Sequence, residues 1–268
     1  MAGKEPTVLL EKRNKIAYIT FNRPEKLNAM RREEYILFDE IVTDCDRDPN
    51  LRVMLITGKG RAFTAGDDMG WWADEGWWDE YIKDNYDHGG VNLTHVINMK
   101  LLESDKVVIA AVNGVCWLPG PVYAADFVIA AEGATFAEGD IRGGICPGST
   151  ETQVLARLLG RRRALELILM DEPISAQEAY RIGLVNKVVP LEQLMPEAEA
   201  LARKMIAWPA SGIKYTKLAI TYGQDLPLKQ AITLESWFST LSASSGKTTK
   251  DHGKNFLARE RKRKGKGK

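Results

Sequence analysis

The chain has 268 residues, 44% hydrophobic and 27% charged, with a formal net charge of +1. Those fractions belong to an ordinary globular protein and exclude a chain disordered throughout, and no run approaches the roughly 18 apolar residues of a membrane span. The charge is uneven: RKRKGKGK at 261–268 carries six positive charges and no acid, so the remainder sums to −5.

From the N-terminus, TVLLE (7–11) and KIAYITF (15–21) are short β-rich runs separated by KRN, which predicts a hairpin. NRPEKLNAM (22–30) reads as a loop. From Arg31 to Asp46, Tyr35, Phe38, Ile41, Val42 and Cys45 recur at helical spacing, and Pro49 closes the helix they predict. RVMLITG (52–58) is a buried strand. GKGRAFTAGDDMG (58–70) is a loop of glycine and small residues from which backbone can approach a ligand. GWWADEGWWDEYIKDNYDHGG (70–90) mixes four tryptophans with acids and makes no clean helical stripe.

A helix is expected from Val91 to Glu103, then a strand in KVVIAAV (106–112). NGVCWLPGPVYAAD (113–126) follows, with two prolines around one glycine and a small-residue helix at Val122–Ala125. The next strand lies in DFVIAAE (126–132). Helical patterns occupy 150–170, 175–183 and most of the chain from 191. Alternating strands and helices predict an α/β fold. VMLITGKGRAFTAGDD and VIAAVNGVCWLPGPVYAAD share the order strand, Gly-rich loop, helix, a weak internal repeat.

Cys45, Cys116 and Cys146 are odd in number and lack CxxC spacing, so neither disulfides nor zinc are indicated and buried thiols are expected. His88 and His95 are read as surface or packing residues, and no metal is expected. MAGKEPTVLLEKRNK shows no secretory pattern, so the expected location is cytoplasmic.

Two loops that follow buried strands can aim free N–H groups at one point, which is the architecture of an oxyanion hole. Asp67 is the donor in the first loop. In the second, Pro119 and Pro121 have no N–H, which leaves Leu118 and Gly120. Gly120 permits close approach, and Pro121 suits a first helical position whose N–H would be unpaired.

AFTAGDDM, AAVNG, the run from Asp126 to Asp140, CPG (146–148) and ISAQEAYRIGLVNKVVP (174–190) together resemble the crotonase, or enoyl-CoA hydratase/isomerase, superfamily over about residues 7–260. The resemblance implies a crotonase-like spiral of ββα turns in residues 1–190 and a C-terminal helical trimerisation region in 191–260. The tail at 261–268 is read as a disordered basic end. It further implies an acyl-CoA substrate, coenzyme A being part of that substrate with no permanently bound cofactor, and a homotrimer or a hexamer made of two trimers. Neither nucleic acid nor membrane is expected as a partner. Arg23, Lys26, Leu27 and Ala29 would flank the CoA nucleotide, with Ala65 and Asp68 near adenine and pantetheine.

The resemblance also locates the departures. Hydratases of the family carry a glycine triplet and then a catalytic glutamate where this chain, two residues shorter, has Pro121, Val122 and Tyr123. The family's second acid corresponds to Asp140, four residues after Phe136. Glu138 and Glu151 are the neighbours that can share its work, against the plainer readings of a solvated loop charge and a helix N-terminal charge. Trp71, Trp72, Trp117 and Tyr81 are candidates for the wall of a pocket for a bulky, aromatic or cyclic acyl group. NGVCW and TAGDD are locally similar to hydroxycinnamoyl-CoA hydratase-lyases.

The expected chemistry is enolate formation in an enoyl-CoA hydratase, extending to water addition with retro-aldol cleavage. The rivals are double-bond isomerisation and C–C hydrolysis of a cyclic diketone or keto-thioester. A rival of another class is a catalytically weak binding protein that contacts RNA through the basic tail.

Overall fold

Val107–Val112 is buried at all six positions, which places it in the middle of a sheet covered on both faces and explains its unbroken apolar sequence. The computed structural model describes residues 5–74, 76, 79, 81–83, 92–117, 120–244, 251, 254 and 257. The chain divides into two units, 1–205 and 206–268.

In the first unit a six-stranded sheet has the order β1-β2-β3-β5-β7-β10. Its strands are β1 (Val8–Arg13), β2 (Ile16–Phe21), β3 (Val53–Gly58), β5 (Val107–Val112), β7 (Phe127–Ala131) and β10 (Lys187–Val189). β1 and β2 form the expected hairpin, with Asn14 and Lys15 both at positive φ in its turn. The other pairings are parallel.

A second sheet was not legible in the sequence. It has the order β4-β6-β8-β9, made of β4 (Ala62–Thr64), β6 (Val115–Trp117), β8 (Thr135–Ala137) and β9 (Ile174–Ser175). Its strands are two or three residues long, too short to show a period. β3, β5 and β7 each turn into one of its strands, so the weak repeat is a strand, a sharp corner and a second strand. The corners demand glycine. A Cβ on Gly58 or Gly114 would lie 2.1 Å from the carbonyl oxygen of Ala62 or Arg61. Asn28 and Asn113 pin the first corner by donating to the Ala62 carbonyl at 2.8 and 3.0 Å.

Because β4, β6 and β8 lie side by side in parallel, the loops that follow them emerge at the same edge. Helix α1 (Arg32–Arg47) buries Phe38, Ile41, Val42 and Cys45, with the Phe38 ring edge-on to Phe21 at 5.2 Å. α2 is Met69–Trp72, and α3 (Leu93–Glu103) begins where the Asn92 side chain accepts the His95 N–H at 2.7 Å. α4 spans Gly120–Tyr123 and not the expected 122–125. Pro121 therefore sits second in the helix, still within the turn whose N–H groups need no intrahelical partner. The helical pattern at 150–170 is two helices, α5 (Glu151–Leu159) and α6 (Arg161–Met170), broken at Gly160 with φ +81°. α7 (Ala176–Arg181) and α8 (Leu191–Ala207) follow.

The second unit contains α9 (Ala210–Gly223) and α10 (Leu228–Ser244), whose Tyr215 and Phe238 rings approach to 5.5 Å. Cys45 and Cys116 are buried as expected. Cys146 is exposed, in a segment without regular structure. Among the described residues no helix is long and apolar enough to cross a membrane. The tail at 261–268 and His88 lie outside the described residues.

Candidate active site

The loop after β4 is tied to the loop after β2. Met30 N–H donates to Gly66 O and Asp68 N–H to Met30 O, both at 2.8 Å, forming a parallel bridge centred on Asp67. In such a bridge the central residue's own N–H points away from the partner strand. The Asp67 N–H has no acceptor among the described residues. Gly120 heads α4, where an N–H likewise lacks an intrahelical partner. A Cβ on Gly120 would lie 2.4 Å from Asn98 Nδ2. Asn98 is itself held by donating to Ser149 O at 2.6 Å. Leu118, the other donor considered, lies outside the described residues.

Asp140 opens a 3₁₀ turn, Asp140–Gly143, three residues beyond β8. Glu151 is the first residue of α5. Thr150, at φ +87°, turns the chain there, and the Glu151 carboxylate accepts the Ser149 N–H at 2.7 Å. Ser149 Oγ is hydrogen-bonded in turn to Thr94 Oγ1.

These residues meet in a cavity of about 340 Å³ lined by Asp67, Gly120, Asp140 and Glu151. Its aromatic wall includes Tyr35, Phe38, Trp71, Trp72 and Tyr81. Tyr35 OH donates to one Asp67 carboxylate oxygen at 2.6 Å and Trp72 Nε1 to the other at 3.1 Å. The Trp72 ring also lies against the Asp140 turn, since a Cβ on Gly143 would sit 3.1 Å from it.

Burial dominates the electrostatics. It pushes the Asp140 carboxyl up to about 6, with repulsion from Asp67 and Asp171 adding to it. It pushes Glu151 up to about 7, opposed by backbone hydrogen bonds and reinforced by Asp140 and Asp67. Asp67 is raised by burial against the donation from Tyr35 and Trp72. Burial thus brings both carboxyls toward neutrality, where each can give or take a proton.

Other candidates are placed differently. Glu138 is 3% exposed and is not a solvated loop charge, but it does not line the cavity. Its carboxylate accepts the Tyr123 hydroxyl. Trp117 is 39% exposed and also stands outside the cavity lining.

Arg23 is a bracket: it donates to Ala29 O at 2.6 Å and to the Asp68 carboxylate at 2.9 Å. Leu27 adopts a left-handed turn at φ 53°, and Ala29 is buried. Arg23, Lys26 and Asp68 border a second cavity together with Arg31, Arg32, Glu33 and Asp74, a rim of mixed charge. Ala65 is half-buried in the loop preceding Asp67 and lines neither cavity. Among the described residues no group of three His, Cys, Asp or Glu is arranged to hold a metal.

Tyr35 was invisible as a site residue. It stands in the stripe that buries α1 and reads there as packing. Its signal is position: it is the polar-tipped member of that stripe nearest the start of the helix.

A family model described as enoyl-CoA hydratase/isomerase matches residues 11–262. The crotonyl-CoA hydratase of Syntrophomonas wolfei subsp. wolfei is 33% identical over 85% of this chain and 86% of its own. The short-chain-enoyl-CoA hydratase of Clostridium acetobutylicum is 35% identical over the same shares. The crystal structure of an enoyl-CoA hydratase from Bacillus anthracis superposes with a TM-score of 0.85 at 27% identity, covering 95% of this chain and 97% of that one.

Proposed function

The chain belongs to the enoyl-CoA hydratase/isomerase family, and we propose that it adds water to the double bond of a 2-enoyl-CoA thioester using Asp140 and Glu151 as its acid pair. The observation that carries this reading is that both carboxyls line the same cavity as Asp67 and Gly120.

The thioester oxygen accepts the Asp67 and Gly120 N–H groups. As the enolate forms, each fixed donor lowers the barrier by about 3 kcal/mol. Asp140, the lower of the two acids, is mostly ionised at pH 7 and takes a proton from water as its oxygen bonds to C3. The C2=C3 electrons move onto the thioester oxygen. When they return, C2 takes the proton held by Glu151, the higher acid. Proton exchange between the two carboxyls restores the starting state. Glu151 thus supplies the second acid that Pro121, Val122 and Tyr123 cannot.

The walls of Trp71, Trp72, Tyr35 and Tyr81 suit a bulky aromatic or cyclic acyl group. Lys26, the exposed cation on the mixed-charge rim of the second cavity, suits a phosphate of coenzyme A. On α9 and α10, Ile220, Ile232 and Trp237 are 56 to 65% exposed, which supports assembly into a homotrimer or a dimer of trimers. Following the enoyl-thioester absorbance with crotonyl-, cinnamoyl- and cyclohexenyl-type substrates tests the reaction. Turnover of none of them rejects it.

A further inference from the structure

We infer that Tyr123 and Glu138 form a buried positioning pair that keeps the oxyanion helix in register with the loop bearing Asp140. The inference rests on the hydratase reading and adds residues that do not touch substrate.

The two segments are neighbours along β6 and β8, whose parallel ladder ends at the pair Trp117 and Ala137. Beyond that pair each chain turns into its working segment, Gly120 on one side and Asp140 on the other. The Tyr123 hydroxyl to Glu138 hydrogen bond joins them where the ladder has stopped. Tyr123 lies one helical turn after Gly120, and Glu138 lies two residues before Asp140.

α4 needs such a tie. It has four residues, includes Pro121, and its own main chain contributes the Ala124 N–H to Gly120 O bond at 3.1 Å. A helix that short is not stable by itself. Asn98 presses on its first residue, Gly120, and Tyr123, 4% exposed, anchors its last. The Asp140 turn is gripped again on its far side, where Arg142 pairs with the Asp171 carboxylate and donates to Asp171 O at 2.7 Å.

The chemistry of Glu138 fits a geometric role. Its Oε2 is buried with no hydrogen-bond partner, and the charged groups that face it, Glu151, Asp140 and Asp171, are all acids. An ionised carboxylate there would be costly. The pocket therefore holds a neutral carboxyl, which serves as an acceptor for Tyr123 and supplies no charge to the reaction.

The test compares Tyr123→Phe, Glu138→Ala and Glu138→Gln with Asp140→Asn on the enoyl thioester that the wild type hydrates best. Glutamine keeps the acceptor, so Glu138→Gln is expected to stay within about 3-fold of wild-type kcat. Tyr123→Phe and Glu138→Ala are expected to lose about 10-fold or more in kcat, with KM moving less than about 3-fold, the signature of a transition-state geometry lost. Glu138→Gln as damaging as Asp140→Asn would overturn the inference in favour of direct proton transfer, and wild-type kcat in the other two would overturn it outright. Should Glu138→Ala fail to fold, Tyr123→Phe in the Glu138→Gln background decides: glutamine keeps the acceptor, so the same loss of about 10-fold or more is expected there, and no loss in that background contradicts the pair.

If wild type hydrates no thioester, the hydratase reading fails separately. Amide exchange at 122–124 then tests the tie: Tyr123→Phe should accelerate it, and unchanged exchange rejects the pair.

Discussion

The Tyr35 hydroxyl donates to the Asp67 carboxylate at 2.6 Å, joining the first helix of the protein to the residue whose main-chain N–H has no acceptor among the described residues. Because Trp72 occupies the other carboxylate oxygen, the Asp67 side chain ties two walls of the cavity while its backbone offers the donor. Asp67→Ala keeps that N–H and releases the walls. It is expected to leave kcat on a small enoyl thioester within about 5-fold and to lower the preference for bulky over small acyl groups by about 10-fold, the scale of one buried charge-assisted hydrogen bond. Steady-state kinetics on crotonyl- and cinnamoyl-type substrates checks both.

Removing either acid should act on kcat. Asp140→Asn and Glu151→Gln are each expected to lose about 10²- to 10⁴-fold in kcat with little change in KM, the range of general acid–base catalysis. Single-turnover measurements separate this loss from slow product release.

The pH profile follows from the same pair. kcat/KM is expected to rise as the site loses its first proton, near the value of about 6 for Asp140, and to fall as it loses the second, near about 7 for Glu151. The limbs belong to the coupled pair. A residual-activity profile of Glu151→Gln should lose its alkaline limb and keep its acidic one.

Stability carries the sign of buried acids. Near pH 5.5, Glu138, with a carboxyl pushed up to about 8, Glu151 and Asp140 all hold protons in the folded protein that the unfolded chain has released. Their contribution is fully present below the unfolded values of about 4 to 4.5 and is lost as pH rises through 6 to 8, at about 1.4 kcal/mol per pH unit for each group in its window. Urea unfolding should therefore show a more stable protein at pH 5.5 than at pH 8, with a smaller difference in Glu138→Gln.

Lys26 borders the second cavity without being part of the Arg23 bracket. Lys26→Ala is expected to raise KM for a CoA thioester about 3- to 10-fold at low salt, less at high salt, with kcat unchanged, because the contact is exposed and screened.

The long parallel strands were legible because burial on both faces writes them as unbroken apolar runs such as KVVIAAV. The second sheet was hidden, since Ala62–Thr64, Val115–Trp117 and Thr135–Ala137 each hold three residues. Yet those strands bring Asp67, Gly120 and Asp140 to one edge. The family resemblance named Asp140, with Glu138 and Glu151 as its neighbours. It carried no information on which of them faces the cavity, because that is decided by the left-handed turn at Thr150 and by the Tyr123 hydroxyl that holds Glu138 elsewhere. Tyr35 was hidden for the opposite reason: its helical spacing is that of a core residue.

The most direct measurement is mass spectrometry of the product formed from a trans-2-enoyl-CoA in heavy-oxygen water by the wild type, Asp140→Asn and Glu151→Gln proteins. The account expects a 3-hydroxyacyl-CoA with one heavy oxygen at C3 from the wild type, and its near-complete loss in both variants. An unchanged thioester, a product with a shifted double bond and no added oxygen, or undiminished labelling in the two variants would contradict it.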